Sequence, residues 1–429
     1  MNTRGKNKTC SKLENATKLS LQAVPIRILI LTHNYIRFPG DFAGVFLHQL
    51  SKNLVSAGLK ISVLAPHQKG IPVHQNLDGV QIYRFKYAPE RYERIAYAGN
   101  MHELVMKNPV NLVVFFFFLL CFTFNSYKLA KSEKADIILC HWWIPGGLIG
   151  FLTSILQKKP LVLTLHGTDI RLLLKSKLFQ RLAHPIFKRA KYITTVSSFL
   201  KGKLLSVLSL PQEKVKVVPM PVNPVFETLK PAFGIKGKKK KILSVARYTE
   251  QKGVRYLLEA LKQLKEKGYD FEAEIVGEGP LEDEFRRKIE QSSLSGSVFL
   301  VAMMPQEKLK ILYEKCDLFV LPSMEEGFGM VLVEAQLCKR PVVGVKSGGI
   351  LDIVEHEKTG LLALPEDSSS LASAIEKLLT NEEYAEELAN AGYRSAQEKF
   401  SSEAITRKYI EVLELSLRVP AGDEAIPLL

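Results

Sequence analysis

A chain of 429 residues has room for two domains of ordinary size, and 46% hydrophobic with 24% charged residues is the composition of a globular protein. Its five cysteines (Cys10, Cys121, Cys140, Cys316, Cys338) form no C-x-x-C pair, which points to neither a zinc site nor a disulfide framework and favours a reducing compartment. The net charge of +15 calls for an anionic partner, but no helix-turn-helix, RRM or zinc-finger pattern accompanies it, so nucleic acid is set aside in favour of phosphorylated small molecules or an anionic membrane surface.

In chain order, residues 1–24 are basic and then polar, with no apolar core, so a flexible basic tail is expected rather than a secretory signal. Arg27-Ile-Leu-Ile-Leu-Thr32 reads as a buried parallel strand. A glycine-bearing loop, Pro39 to Gly44, leads into a helical pattern over Val45–Val55, and Ile61–Ala65 is the next strand. This βαβ unit carries its glycine loop at the strand's C-terminal end, where ligands of open α/β sheets bind. Further strands are expected at Ala135–Leu139, Leu161–Leu165, Tyr192–Val196 and Val215–Val218.

Between them Pro109–Phe124 is a nearly continuous apolar run, shorter than the ~20 residues a bilayer span requires. Three readings stand: a buried helix of the first domain, an apolar surface dipping into a membrane beside Lys107, Lys128 and Lys131, and, least favoured, a true membrane span. The composition breaks at Pro219–Pro231, followed by a lysine run from Lys236 to Lys241 that reads as a solvated linker or strand entry, in preference to a phosphate-binding loop. A second βα array follows, with strands at Ile242–Ala246, Phe271–Val276, Val298–Leu300, Leu318–Leu321 and Pro341–Val345. The expectation is an α/β protein of two doubly wound domains facing across a cleft: 25–222, then 223–400, with a closing helix over 401–418.

The most informative stretch is Pro322-Ser-Met-Glu-Glu-Gly-Phe-Gly-Met-Val-Leu-Val-Glu-Ala335. It reads as strand, glycine turn, helix. Gly327 and Gly329 let backbone amides approach a ligand, and the following helix N-terminus suits an anion. Glu326 and Glu334 flank that anion site with hydroxyl-binding carboxylates, an arrangement fitted to a nucleotide sugar; the plainer reading is a capped surface helix with solvated glutamates.

Ser323–Ala335 resembles the signature of family 4 glycosyltransferases, retaining enzymes of the GT-B fold, and the resemblance extends from about Arg27 to Phe400. It implies a metal-independent retaining transferase that moves a hexose from a UDP-, GDP- or ADP-sugar to a sugar or lipid-linked acceptor or a cell-surface glycan precursor, with no cofactor and no bound metal. The enzyme is expected to be cytoplasmic, with peripheral association at the membrane face as a further candidate.

Residue by residue, the resemblance implies that Arg247 and Lys252, in Val245-Ala-Arg-Tyr-Thr-Glu-Gln-Lys-Gly253, contact the donor diphosphate. Glu334 would hold the ribose and Glu326 the transferred sugar, with backbone amides of Gly327, Phe328, Gly329, Met330 and Val331 facing sugar and phosphate. His166, in His166-Gly-Thr-Asp169, would contact the transferred sugar, with Asp169 orienting its loop or capping the next helix. Gly44 would approach the diphosphate, and Gly277, in Gly277-Glu-Gly-Pro280, the base.

Four positions depart from the family pattern: Ala43 beside Gly44, Pro221 at the domain junction, Val301–Met304 near the base, and Asp352 where glutamate is usual. Two rivals are a non-catalytic GT-B membrane or complex subunit, opposed by the presence of all four of Arg247, Lys252, Glu326 and Glu334, and a nicotinamide-dependent dehydrogenase, which lacks G-x-G-x-x-G after the first strand.

Overall fold

A computed structural model describes residues 25–38, 41, 43–97, 101–227 and 239–418, without the side chains of residues 102 and 107. The N-terminal tail, residues 39, 40 and 42 of the first glycine loop, and Lys236–Lys238 of the lysine run lie outside the described residues, as does the Lys107 side chain.

The first half runs β1 (Arg27–Leu31), α1 (Val45–Ser56), β2 (Lys60–Pro66), β3 (His74–Leu77), β4 (Val80–Phe85), α2 (Met101–Lys107), α3 (Pro109–Ser132), β5 (Ile137–His141), α4 (Leu148–Leu156), β6 (Leu161–Leu165), α5 (Thr168–Lys175), α6 (Lys177–Arg189), β7 (Tyr192–Thr195), α7 (Ser198–Leu205) and β8 (Val215–Val217). The second runs β9 (Lys240–Val245), α8 (Val254–Glu266), β10 (Phe271–Val276), α9 (Glu282–Glu290), β11 (Val298–Val301), α10 (Gln306–Lys315), β12 (Leu318–Leu321), α11 (Met330–Leu337), β13 (Val342–Val345), β14 (Leu361–Ala363), α12 (Ser368–Thr380), α13 (Glu382–Phe400) and α14 (Ser402–Arg418).

Each half builds its own sheet, ordered β3-β4-β2-β1-β5-β6-β7-β8 and β11-β10-β9-β12-β13-β14. All pairings are parallel except β3 with β4. The short strands are almost continuously apolar because helices cover both faces; β5, β6, β12 and β13 are buried at every position. Strand order reverses between β1 and β5 in one sheet and between β9 and β12 in the other. A crevice opens beyond the strands' C-terminal ends at such a reversal.

The β3–β4 hairpin is an element the sequence reading missed. Asp78, with a φ of 51°, and Gly79, with a φ of 82°, turn the chain, and Val80-Gln-Ile-Tyr-Arg-Phe85 alternates buried and half-buried residues as a strand near a sheet edge does. The strand β14 was missed as well, being only three residues long.

The apolar run also needs a correction. α3 continues past Phe124 to Ser132, so its 24 residues are long and apolar enough, by length and composition, to cross a membrane. One face is buried: Phe118 and Phe122 pack on Phe85 at ring-centroid distances of 5.1 and 4.6 Å. The opposite face exposes Val110, Leu112, Val113, Phe116, Phe117, Leu120 and Phe124. Neither a wholly buried helix nor a wholly lipid-facing one describes it.

α14 follows the last elements of the second half yet packs on α1, β5 and β6 of the first. Its Ile405, Tyr409 and Leu413 are fully buried, and the Tyr409 hydroxyl lies 3.9 Å from Met220 Sδ.

Candidate functional site

Both strand-order reversals carry the residues singled out from the sequence. In the second half, the segment after β9 supplies Arg247 and Lys252, and the turn between β12 and α11 supplies Glu326. The two loops are tied together by the Gln251 carbonyl, which accepts from Met324 N at 2.9 Å. Lys252 Nζ donates to Glu326 Oε2 at 2.7 Å. Gly253 makes this approach possible. Its φ is +63°, and an added Cβ would stand 2.1 Å from the Pro322 carbonyl oxygen, so any side chain would push the loops apart.

A third loop locks the turn from outside. Gly349 N donates to the Glu326 carbonyl at 2.8 Å, and the Ser347 hydroxyl bonds the Met324 carbonyl. Glu326 therefore has a fixed backbone and a cationic partner. Arg247 is exposed and has no ion-pair partner among the described residues. Gly277 packs under its neighbours: a Cβ there would stand 2.0 Å from the Ala246 carbonyl oxygen.

The helix α11 starts at Met330, capped by Gly329 in a left-handed conformation with a φ of 105°. Leu332 N already donates to the Gly329 carbonyl at 2.9 Å, but the amides that open the helix at Met330 and Val331 have no intrahelical acceptor, and the helix dipole puts partial positive charge beside Gly327, Phe328 and Gly329. One turn further in, Glu334 is buried, and burial pushes its carboxyl up to about 7. The Tyr313 hydroxyl, from α10, donates to Glu334 Oε2 at 3.0 Å and opposes that rise.

The first half forms the opposite wall. His166 and Gly167 follow β6; a Cβ added to Gly327 would stand 3.5 Å from the His166 carbonyl oxygen, and one added to Gly167 would stand 4.0 Å from Gly327 Cα. The two walls are thus in near van der Waals contact beside Glu326. Arg171 reaches across to Gln251 Oε1 at 3.3 Å, and Asp352 accepts from Ser198 N at 2.6 Å. The aspartate at this family glutamate position joins the two halves. Gly44 caps α1, and two residues on Phe46 lies 5.3 Å from the His166 ring.

His166 is one of three histidines around an indole. The Trp142 ring lies 4.3 Å from that of His166 and 4.7 Å from that of His33, and His141 Nδ1 is 3.0 Å from His166 Nε2. Burial lowers all three imidazoles: His33 to about 4, His141 to about 3, and His166 well below its ordinary value, with the neighbouring histidines adding to the effect. They are neutral at pH 7. Asp169 fixes the loop, its Oδ1 accepting from the amides of His166, Gly167 and Ile170. Burial nonetheless raises its carboxyl to about 6.

Two sets of neighbours escaped the sequence reading. Tyr313 gave no local sign of its bond to Glu334, because the contact joins α10 to α11. His33 and His141 did carry a sign, since each follows or ends a strand at the reversal point, as His166 does after β6. Among the described residues there is no group of three or more His, Cys, Asp or Glu that could hold a metal ion.

Comparison with known proteins joins these walls to one family. The model of "Glycosyltransferase Family 4" matches residues 43–226, and that of "Glycosyl transferases group 1" matches residues 225–395. An uncharacterized glycosyltransferase of Methanocaldococcus jannaschii is 26% identical over 411 residues, covering 92% of this chain and 99% of that protein. The amylovoran biosynthesis glycosyltransferase AmsK of Erwinia amylovora is 32% identical over 296 residues, 66% of this chain and 71% of AmsK. Among solved structures, Anabaena HepE in complex with UDP-glucose superposes with a TM-score of 0.67 at 19% identity, over 91% of this chain and 99% of that one, a likeness of fold. The chain belongs to the family 4 glycosyltransferases and is an enzyme of the GT-B fold.

Proposed function

We propose that this enzyme takes a sugar from a nucleotide-sugar donor and transfers it with retention of anomeric configuration and without a metal ion. The observation that carries the reading is the 2.7 Å pair of Lys252 and Glu326 at the N-terminal end of α11, facing His166 and Gly167. Breaking the bond between the anomeric carbon and the diphosphate leaves negative charge on phosphate oxygens. Lys252, Arg247 and the first-turn amides of α11 supply fixed positive charge for it, aided by backbone amides from Gly327 to Val331.

Glu326 holds the hydroxyls of the transferred sugar, and its lysine partner fixes its orientation. Glu334 receives the ribose hydroxyls, with Tyr313 holding its other side. Gly44 and Gly277 let the chain approach the diphosphate and the base. His166, neutral, offers a hydrogen bond to the sugar without adding charge on the acceptor side. Retention follows if the acceptor enters on the face that the diphosphate leaves, with the departing phosphate taking its proton. Residues 25–222 form the acceptor side, 223–400 the donor side, and 401–418 the helix that returns.

HepE, solved with UDP-glucose, supports a nucleotide-sugar donor, and AmsK, named for amylovoran biosynthesis, supports an acceptor that is a glycan precursor. A hexose on a lipid-linked acceptor, handled by a cytoplasmic enzyme peripheral to the membrane, fits both. A thermal-shift screen against UDP, GDP, ADP and their sugars tests the donor: a ligand at about 100 times its dissociation constant adds roughly 2.7 kcal/mol. No shift with any nucleotide sugar overturns the reading. Product NMR then reads the anomeric configuration.

A further inference from the structure

We propose that the outer face of α3, α4 and α6 is a docking surface for an anionic lipid leaflet, in which α3 lies along the membrane plane instead of crossing it. It deepens the membrane-peripheral reading above and rests on that reading for its purpose.

The first observation is the surface itself. Besides the outward face of α3, Leu152, Ile155 and Leu156 of α4 are exposed, as are Leu178 and Leu182 of α6. α3 packs on α4, and α4 on α6, so the three form one layer over the first sheet. Soluble helices in such a layer present polar residues outward. A contiguous apolar face of this extent marks an interaction surface.

The second observation identifies the occupant. From residue 109 to residue 189 the chain carries eleven lysines and arginines against three acids. All three acids are engaged within the first half: Glu133 accepts from Ser62 and Tyr83, Asp136 from Arg27 N, and the buried Asp169 from its own loop. The exposed cations, among them Lys128, Lys131, Lys158, Lys175, Lys177 and Arg181, face no acid on these helices. Apolar side chains set among unopposed cations complement acyl chains beneath anionic headgroups. A protein partner would need acids around an apolar centre, and a second copy of this surface would set like charges against each other.

The third observation excludes crossing. The inner face of α3 completes the core over β1, β2 and β4, with Phe118 and Phe122 buried against Phe85. Withdrawing the helix into a bilayer would strip that sheet face. Orientation follows as well. Phe118 lies against Phe85 and Tyr87, at and just beyond the last residue of β4, while Asp136, just past α3, bonds Arg27 at the start of β1. The phenylalanine-rich half therefore stands at the rim where the cleft opens, so docking brings that opening to the lipid.

The test is co-sedimentation of the full chain with vesicles of phosphatidylcholine alone and of equimolar phosphatidylcholine and phosphatidylglycerol, without donor. Binding is expected to the anionic vesicles, weakening with salt. F116E/F117E should lower the partition by roughly tenfold or more per phenylalanine. Should that variant fail to fold, K128E/K131E/K175E/K177E tests the same face by lowering the salt at which binding is lost. In F117W, brominated lipids should quench strongly when brominated near the headgroup and weakly near the bilayer centre. Central quenching with resistance to a carbonate wash would mean a span and overturn the proposal. So would equal binding by wild type and both variants, no binding to either vesicle, or a dimer that F116E/F117E dissolves. Nucleotide-sugar thermal shifts, read separately, tell failure of docking from failure of the transferase reading.

Discussion

The two walls of the cleft solve opposite electrostatic problems. The second-half wall concentrates charge, with Lys252 against Glu326, Arg247 exposed and α11 pointing its positive end between them. The first-half wall suppresses charge: three histidines and a tryptophan crowd together, and burial keeps every imidazole neutral. On the reading proposed above, fixed charge suits the side from which a diphosphate leaves, and a neutral, shaped wall suits the side from which the acceptor enters.

The largest effect should come from breaking the charged wall. Lys252→Ala and Glu326→Ala should each lower turnover by about 10²-fold or more with the fold intact, because each removes a group acting at the reacting centre. Steady-state rates beside circular dichroism check this, and near wild-type turnover in both would contradict the assignment. Transfer should persist in excess EDTA, since the positive charge is built into the chain; strict dependence on added magnesium would contradict that.

Glu334 sharpens the comparison because it is the buried acid of the charged wall. Its folded value, about 7, exceeds the ordinary glutamate value of 4.5, so the folded state binds the proton more tightly. Stability contributed by this group is therefore greatest at low pH, declines between 4.5 and 7, and is lost above 7. Glu334→Gln should weaken nucleotide-sugar binding while raising stability at pH 8 by on the order of 2–3 kcal/mol, with little change at pH 4. Chemical denaturation at both pH values reads the sign, and destabilisation at pH 8 would contradict it.

On the neutral wall, His166→Asn should lower turnover by roughly tenfold while leaving donor affinity nearly unchanged, since it removes one hydrogen bond to the reacting sugar. The smallest effect should be Tyr313→Phe. Tyr313 and Cys338 face Glu334, Cys316 faces Tyr313, and Arg340, Lys310 and Glu314 lie around Cys338. Losing the hydroxyl donor should raise the Glu334 carboxyl further and move the acid limb of donor KM upward by about one pH unit or less. An unmoved limb would leave Tyr313 a packing residue.

The difference between the walls also explains what was legible in the sequence. The charged wall is contiguous: Glu326 to Glu334 is one turn and one helix, and Arg247 to Lys252 one loop, so spacing and a family resemblance brought them out. The two sheets were legible because parallel strands buried on both faces read as short apolar runs. Of the neutral wall, His166 came out through the resemblance, whereas His33 and His141–Trp142 join it only through strand order, their one sign being a place at a strand's C-terminal end. Tyr313 was hidden for the same reason. The length of α3 was underestimated because its polar end, Asn125 to Ser132, continues the helix beyond the apolar run.

The return of α14 to the first sheet governs how chimeras of this enzyme must be cut. Exchanging everything after residue 222 would import a foreign final helix against α1, β5 and β6, where Tyr409 and Leu413 are fully buried. A second half grafted from a relative should therefore be spliced at two points, near Asn223 and near Ser401, so that this protein keeps its own closing helix. A single-junction hybrid would fail through a mismatched core far from any residue that touches sugar.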